Sequence, residues 1–125
     1  MKTATEMGNE DYVSSRRRRD MWRFDALANA SLEEKRQFIA ACDPRKFMTA
    51  SERRKLVALP DEFTVWRGFQ GKRRDGLSWS LSRRVAEMFT RLRDDLPRGI
   101  VIERRVKKSE VFAYIEGDEA EIIIL

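Results

Sequence analysis

Three short segments carry side chains spaced for chemistry. Glu119-Ala120-Glu121 sets two carboxylates two positions apart, which in an extended strand puts both on one face. Neighbouring carboxylates repel, so a purely structural strand rarely chooses them. A reaction that develops positive charge on a sugar does use them, because carboxylates flank the anomeric carbon where glycosidic bonds are broken. In Ser78-Trp79-Ser80 the same period turns two hydroxyls to one side and the indole to the other. In Val65-Trp66-Arg67-Gly68 a planar guanidinium fork stands at a strand end, matched to a phosphate, and the glycine lets a ligand approach the backbone. Taken singly, each segment is also what a solvated strand would carry in a chain with 26 Lys and Arg and 21 Asp and Glu.

Composition narrows the chemistry. The chain of 125 residues fits one domain with one core. It has no histidine, which excludes histidine acid–base catalysis and the Ser-His-Asp triad. With Cys42 as its one cysteine it has no intrachain disulfide and no ligand set for a structural zinc, so no metal is expected. The net charge of +5 favours an anionic partner: a dinucleotide, a nucleic acid or an acidic protein surface. No run approaches the roughly 18 apolar residues of a membrane span. Met1-Lys2-Thr3 leads into no apolar stretch, so no signal peptide is expected. Together these point to a cytoplasmic site of action, in the producing cell or in a target cell.

The elements that must hold the three segments follow from pattern. Residues 1–10 read as a loose tail, and residues 11–125 as one domain, helical over 11–60 and β-rich over 61–125. Arg16 to Arg19 leads into an amphipathic helix with Met21, Trp22, Phe24 and Leu27 at helical spacing. Ser31 and Glu34 form a capping box for a second helix, which Asp43-Pro44 ends. Thr49 and Glu52 repeat the signature for a third helix, which Pro60 stops. Strands are expected at Phe63–Arg67, Leu77–Leu81, Ile100–Ile102, Val111–Ile115 and Glu119–Leu125. Ser82 caps one more helix, with Val85, Ala86, Phe89 and Leu92 on one face. The plan is α+β.

The order of the three segments, arginine on a first strand, serines before a capped helix and a Glu-x-Glu opening the last strand, resembles the arginine-serine-glutamate class of ADP-ribosyltransferases. That class includes bacterial toxins, phage enzymes and vertebrate ecto-enzymes. Gly76-Leu77-Ser78-Trp79-Ser80-Leu81-Ser82, with Val85-Ala86 and Phe89 beyond, looks especially like its second motif and the helix after it, although Trp79 stands where the class has Thr. The resemblance covers about residues 63–125, and the helical half carries no family signature.

The resemblance implies a helical part packed on a two-sheet core with NAD bound between the sheets as co-substrate. Arg67 would hold the pyrophosphate and Gly68 would let the backbone approach it. Ser78 would orient the glutamates and the nicotinamide ribose, with Ser80 in support. Glu121 would bind the ribose 2′-hydroxyl and stabilise the oxocarbenium-like transition state, and Glu119 would position or deprotonate the acceptor. Tyr114, in the stretch up to Asp118, would read the target or stand as a plain strand aromatic. The implied activity is mono-ADP-ribosylation of a macromolecule, foremost a protein side chain such as arginine, with room for an antitoxin or immunity partner. Modification of a nucleic-acid base, a non-catalytic basic nucleic-acid-binding module and an inactive relative that binds a partner are the alternatives.

Overall fold

The computed structural model describes residues 15–23, 27 and 29–125. The expected tail and Phe24 lie outside the described residues. Helix α1 covers residues 15–23, so the arginine run is inside the helix and does not precede it. Three helices follow: α2 (Leu32–Ala40), α3 (Pro44–Phe47) and α4 (Ala50–Ala58). Both capping boxes form: the Ser31 and Thr49 hydroxyls accept from the N–H three residues on, while Glu34 and Glu52 reach back. Asp43-Pro44 opens α3 and does not close α2. The Asp43 carboxylate accepts from the Arg45 N–H and Pro44 fills the first turn, where its missing N–H costs nothing.

The second half supplies β1 (Glu62–Phe69), β2 (Ser78–Ser80), α5 (Arg83–Met88), β3 (Ile100–Lys107), a 3₁₀ turn (Lys108–Glu110), β4 (Val111–Ile115) and β5 (Glu121–Ile124). All pairings are antiparallel and the order is β3-β1-β2-β5-β4. The described residues therefore form one five-stranded sheet, not the expected two. The reason lies in β2. It pairs with β5 through all three of its residues and with β1 through the single pair Trp66↔Ser80, and so joins a β3–β1 half to a β5–β4 half.

Buried Ile39, Phe47, Val65, Val106, Ile122 and Ile123 anchor the core. Ile122 and Ile123 are consecutive on β5 and both fully buried, so that strand is covered on both faces. No helix among the described residues is long and apolar enough to cross a membrane.

The arginine run is largely consumed inside the fold. Arg18 donates to the Phe38 carbonyl at 2.8 Å and lies over the Phe38 ring. Arg19 is buried and forms a two-pronged ion pair with fully buried Glu52, one prong at 2.7 Å. A charge run that reads as a nucleic-acid handle is here mostly internal scaffolding.

Candidate functional site

The three segments converge on a cleft of about 640 Å³ walled by α1, α2, α5, β1, β2 and the start of β5. Its position follows from the register. Trp66 pairs with Ser80, and Ser80 with Glu121, so the three side chains form one cross-strand row. Ser78 joins that face by alternation.

Glu121 is the partly buried carboxylate of the cleft. The Trp22 indole N–H donates to its Oε2 at 2.8 Å, and the Ser78 hydroxyl lies close enough to favour its charged form. Both are neutral donors. Burial pushes the Glu121 carboxyl above the usual range; the nearby Glu119 charge adds to this, and the two donors and Arg23 only partly offset it.

The last strand begins at Glu121, two residues later than expected. Glu119 is exposed in the preceding turn, and Ala120 takes a left-handed φ of 43°, which interrupts the strand alternation. Both glutamates still line the cleft. Ser80 holds this arrangement: its buried hydroxyl donates to the Glu119 carbonyl at 2.6 Å and accepts from the Ser82 N–H at 2.9 Å. Ser80 thus supports the carboxylates by fixing the turn beneath them.

Arg67 is turned toward its own chain. Its guanidinium donates to the carbonyls of Arg74 at 3.1 Å, Ser78 at 3.0 Å and Arg73 at 3.0 Å, with a long 3.5 Å contact to Asp75. Burial lowers its pKa from the ordinary value, opposed by the Asp75 charge, and a guanidinium stays ionised regardless. The fork holds the 73–78 loop against β1. Gly76 makes this fit, because a Cβ there would lie 2.3 Å from the Arg67 Cζ.

Gly68 also differs from expectation. It lines the cleft, but the close approach it permits is to α5: a Cβ would lie 1.7 Å from the Ala86 carbonyl oxygen. Tyr114 stands apart from the cleft. It is buried in β4, pairs with Ile122, and its N–H lies 3.3 Å from the Met48 sulfur. It is a strand aromatic of the core, the second of the two readings the sequence offers for it.

Other residues complete the cleft, and of these Trp22 reads in the sequence only as a helix position and Gln70 not at all. Trp22 reaches Glu121 from 99 positions away. Gln70 is buried and ties the Arg93 and Pro97 carbonyls and the Arg93 N–H together, fixing one wall. Trp79 lines the cleft, with Arg104 5.5 Å above its ring. Its indole N–H is the one buried side-chain polar group without a partner among the described residues. Arg23, Lys35, Lys72, Arg73 and Arg93 add positive charge around the opening. Among the described residues no group of three His, Cys, Asp or Glu is placed to hold a metal ion. No protein-family model, curated protein or solved structure matches this chain.

Proposed function

We propose that the cleft binds NAD and that the chain is a mono-ADP-ribosyltransferase acting on a macromolecular target. The observation that carries this reading is Glu121: a carboxylate withdrawn from water, held by the Trp22 indole, with no ion pair to it among the described residues and Arg23 acting on it only through space. A carboxylate neutralised by an arginine has little charge left to offer. One held by neutral donors can stabilise a cation that appears beside it, and a preorganised charge in a low-dielectric cleft is worth far more than in water.

In this reaction the bond from the ribose anomeric carbon to nicotinamide breaks and its electron pair leaves with nicotinamide. Glu121 stabilises the resulting oxocarbenium-like centre. The acceptor nucleophile then bonds to that carbon and passes its proton to Glu119, which stands exposed at the turn. Ser78 orients Glu121, and Ser80 fixes the turn. Arg67 contributes a charged wall; of its five N–H donors one on Nη2 is held only by the long Asp75 contact and one on Nη1 has no acceptor among the described residues, and these two are the donors a phosphate would recruit. The cationic rim and a volume suited to a small-molecule cofactor fit an anionic dinucleotide. The internal pairing of Arg18 and Arg19 weakens the rival reading as a basic nucleic-acid-binding module.

The test is direct. NAD at millimolar concentration should raise the melting temperature by mass action, and the protein should release nicotinamide from NAD. Glu121→Gln should lose at least about 100-fold in that release while keeping its fold. Absence of both NAD stabilisation and nicotinamide release in folded protein would refute the reading.

A further inference from the structure

Helix α1 makes two contacts whose targets are related. Arg19 and Trp22 are three residues apart, so they project from one side of the helix. Arg19 pairs with Glu52 on α4, and the Oε2 that takes one prong also accepts the Glu116 N–H at 2.9 Å. The Glu116 side chain is tied to the same helix, by Lys55 at 2.6 Å and Ser51 at 3.0 Å. Trp22 donates to Glu121 at 2.8 Å. Residues 116 and 121 are the two ends of the segment that carries Glu119 and the left-handed Ala120, and Ser80 and the Leu81 N–H secure its middle. One helix therefore grips both ends of the carboxylate-bearing turn.

We propose that α1 is a positioning element of the cleft: Trp22 orients Glu121 directly, and Arg19, acting through Glu52, fixes the start of the turn that presents it. The proposal rests on the reading of Glu121 as the group facing the NAD ribose. Its physical basis is the freedom of a glutamate side chain. The Trp22 indole on α1 holds one carboxylate oxygen before substrate arrives, with the Ser78 hydroxyl of β2 close by. Loss of either leaves a carboxylate free to rotate and less stabilised in its charged form. The helical half of the chain is in this way part of the site.

Trp22→Phe keeps an aromatic ring, smaller than the indole, and removes the donor. The midpoint of Glu121, followed by carboxyl-carbon NMR on glutamate-labelled protein, should then rise, because a donor to the charged form is gone while Ser78, Glu119 and Arg23 stay as they were. NAD hydrolysis should lose about tenfold in kcat, with KM changed less than about twofold, and its acid limb should move to higher pH. Site-specific incorporation of benzothienylalanine at position 22, which puts sulfur where the N–H was in a ring of the same shape, gives the same comparison if the phenylalanine variant packs poorly. An unmoved Glu121 midpoint and acid limb in an active protein would overturn the positioning role alone. A wild-type protein that neither binds nor hydrolyses NAD would overturn the substrate reading and the catalytic sense of the positioning with it.

Discussion

Glu52 and Glu121 are both carboxylates drawn out of water, and their surroundings drive them in opposite directions. Around Glu52 burial acts to raise the pKa, but the Arg19 guanidinium and the N–H groups of Thr49 and Glu116 outweigh it and hold the carboxyl at about 2. Around Glu121 burial also acts upward, and there the indole and hydroxyl only partly offset it, so the carboxyl stays above its ordinary range. Burial is common to both; a cation in contact is what differs. Glu52 is fully paired and has no charge to lend, so its work is structural. Glu121 keeps its charge available and sits on the cleft wall. The less stabilised carboxylate is the one suited to chemistry.

The largest effect should come from breaking the structural member of this pair. Glu52→Gln leaves Arg19 buried without a counter-charge and sets an amide NH2 against one of the two N–H groups, of Thr49 and Glu116, that the carboxylate accepts from, and severing a buried pair costs about 3–5 kcal/mol. Urea unfolding at neutral pH should report a loss of that size. The sign with pH is fixed by the shift. The folded pKa lies below the ordinary 4.5, so the stabilisation is complete above that value and disappears as the pH falls toward about 2. The variant should lack this part of the acid-unfolding limb. A loss below about 1 kcal/mol would mean that the ion pair is not the anchor of α1.

The same pair shows what the sequence reveals and what it hides. Glu52 is legible as the N3 partner of Thr49, because a capping box is a local pattern within four residues. Its burial and its bond to Arg19 are not legible, because the partner lies 33 positions away and looks like one charge in a solvated run. Ser78 and Ser80 are legible as one face, since period-two alternation is local; that Glu121 shares that face follows only from the register Ser80↔Glu121. Glu119 departs from it because Ala120 adopts a positive φ that residue type does not announce. The number of sheets turns on one cross-strand pair, Trp66↔Ser80, and no local pattern encodes such long-range pairing. Trp22 was visible only as an apolar helix position, and its indole N–H acquires a role once α1 packs across the start of β5.

Glu119 offers an intermediate effect that sharpens the comparison. It is exposed and adds its charge to the field on Glu121. Glu119→Gln should reduce transfer to the target labelled in lysate by about 100-fold, the scale of lost general-base assistance. NAD hydrolysis should persist, because water requires less positioning than a macromolecular acceptor. Its acid limb should move to lower pH, since one of the influences holding Glu121 up has been removed. Hydrolysis that is lost in Glu119→Gln and retained in Glu121→Gln would reverse the roles of the two residues.

The smallest effect is on stability and has the opposite sign to that of Glu52. Because the folded pKa of Glu121 is raised, the folded state resists its ionisation. The penalty is fully present above the folded pKa and vanishes below the unfolded one, where both states carry the proton. Glu121→Gln keeps an acceptor for the Trp22 indole and removes the charge. It should therefore stabilise the protein at neutral pH, by about 1 kcal/mol, the usual scale for relieving a functional site. That gain should shrink as the pH falls from the raised folded value toward 4.5, the ordinary value for a glutamate, and be gone below it. Denaturant midpoints of the two proteins at about pH 7 and about pH 4 test this, with Glu52→Gln as the reference of opposite sign. A Glu121→Gln protein less stable than wild type at neutral pH would mean that the Glu121 carboxylate, like that of Glu52, is held for structure. The contrast between the two glutamates would then fail.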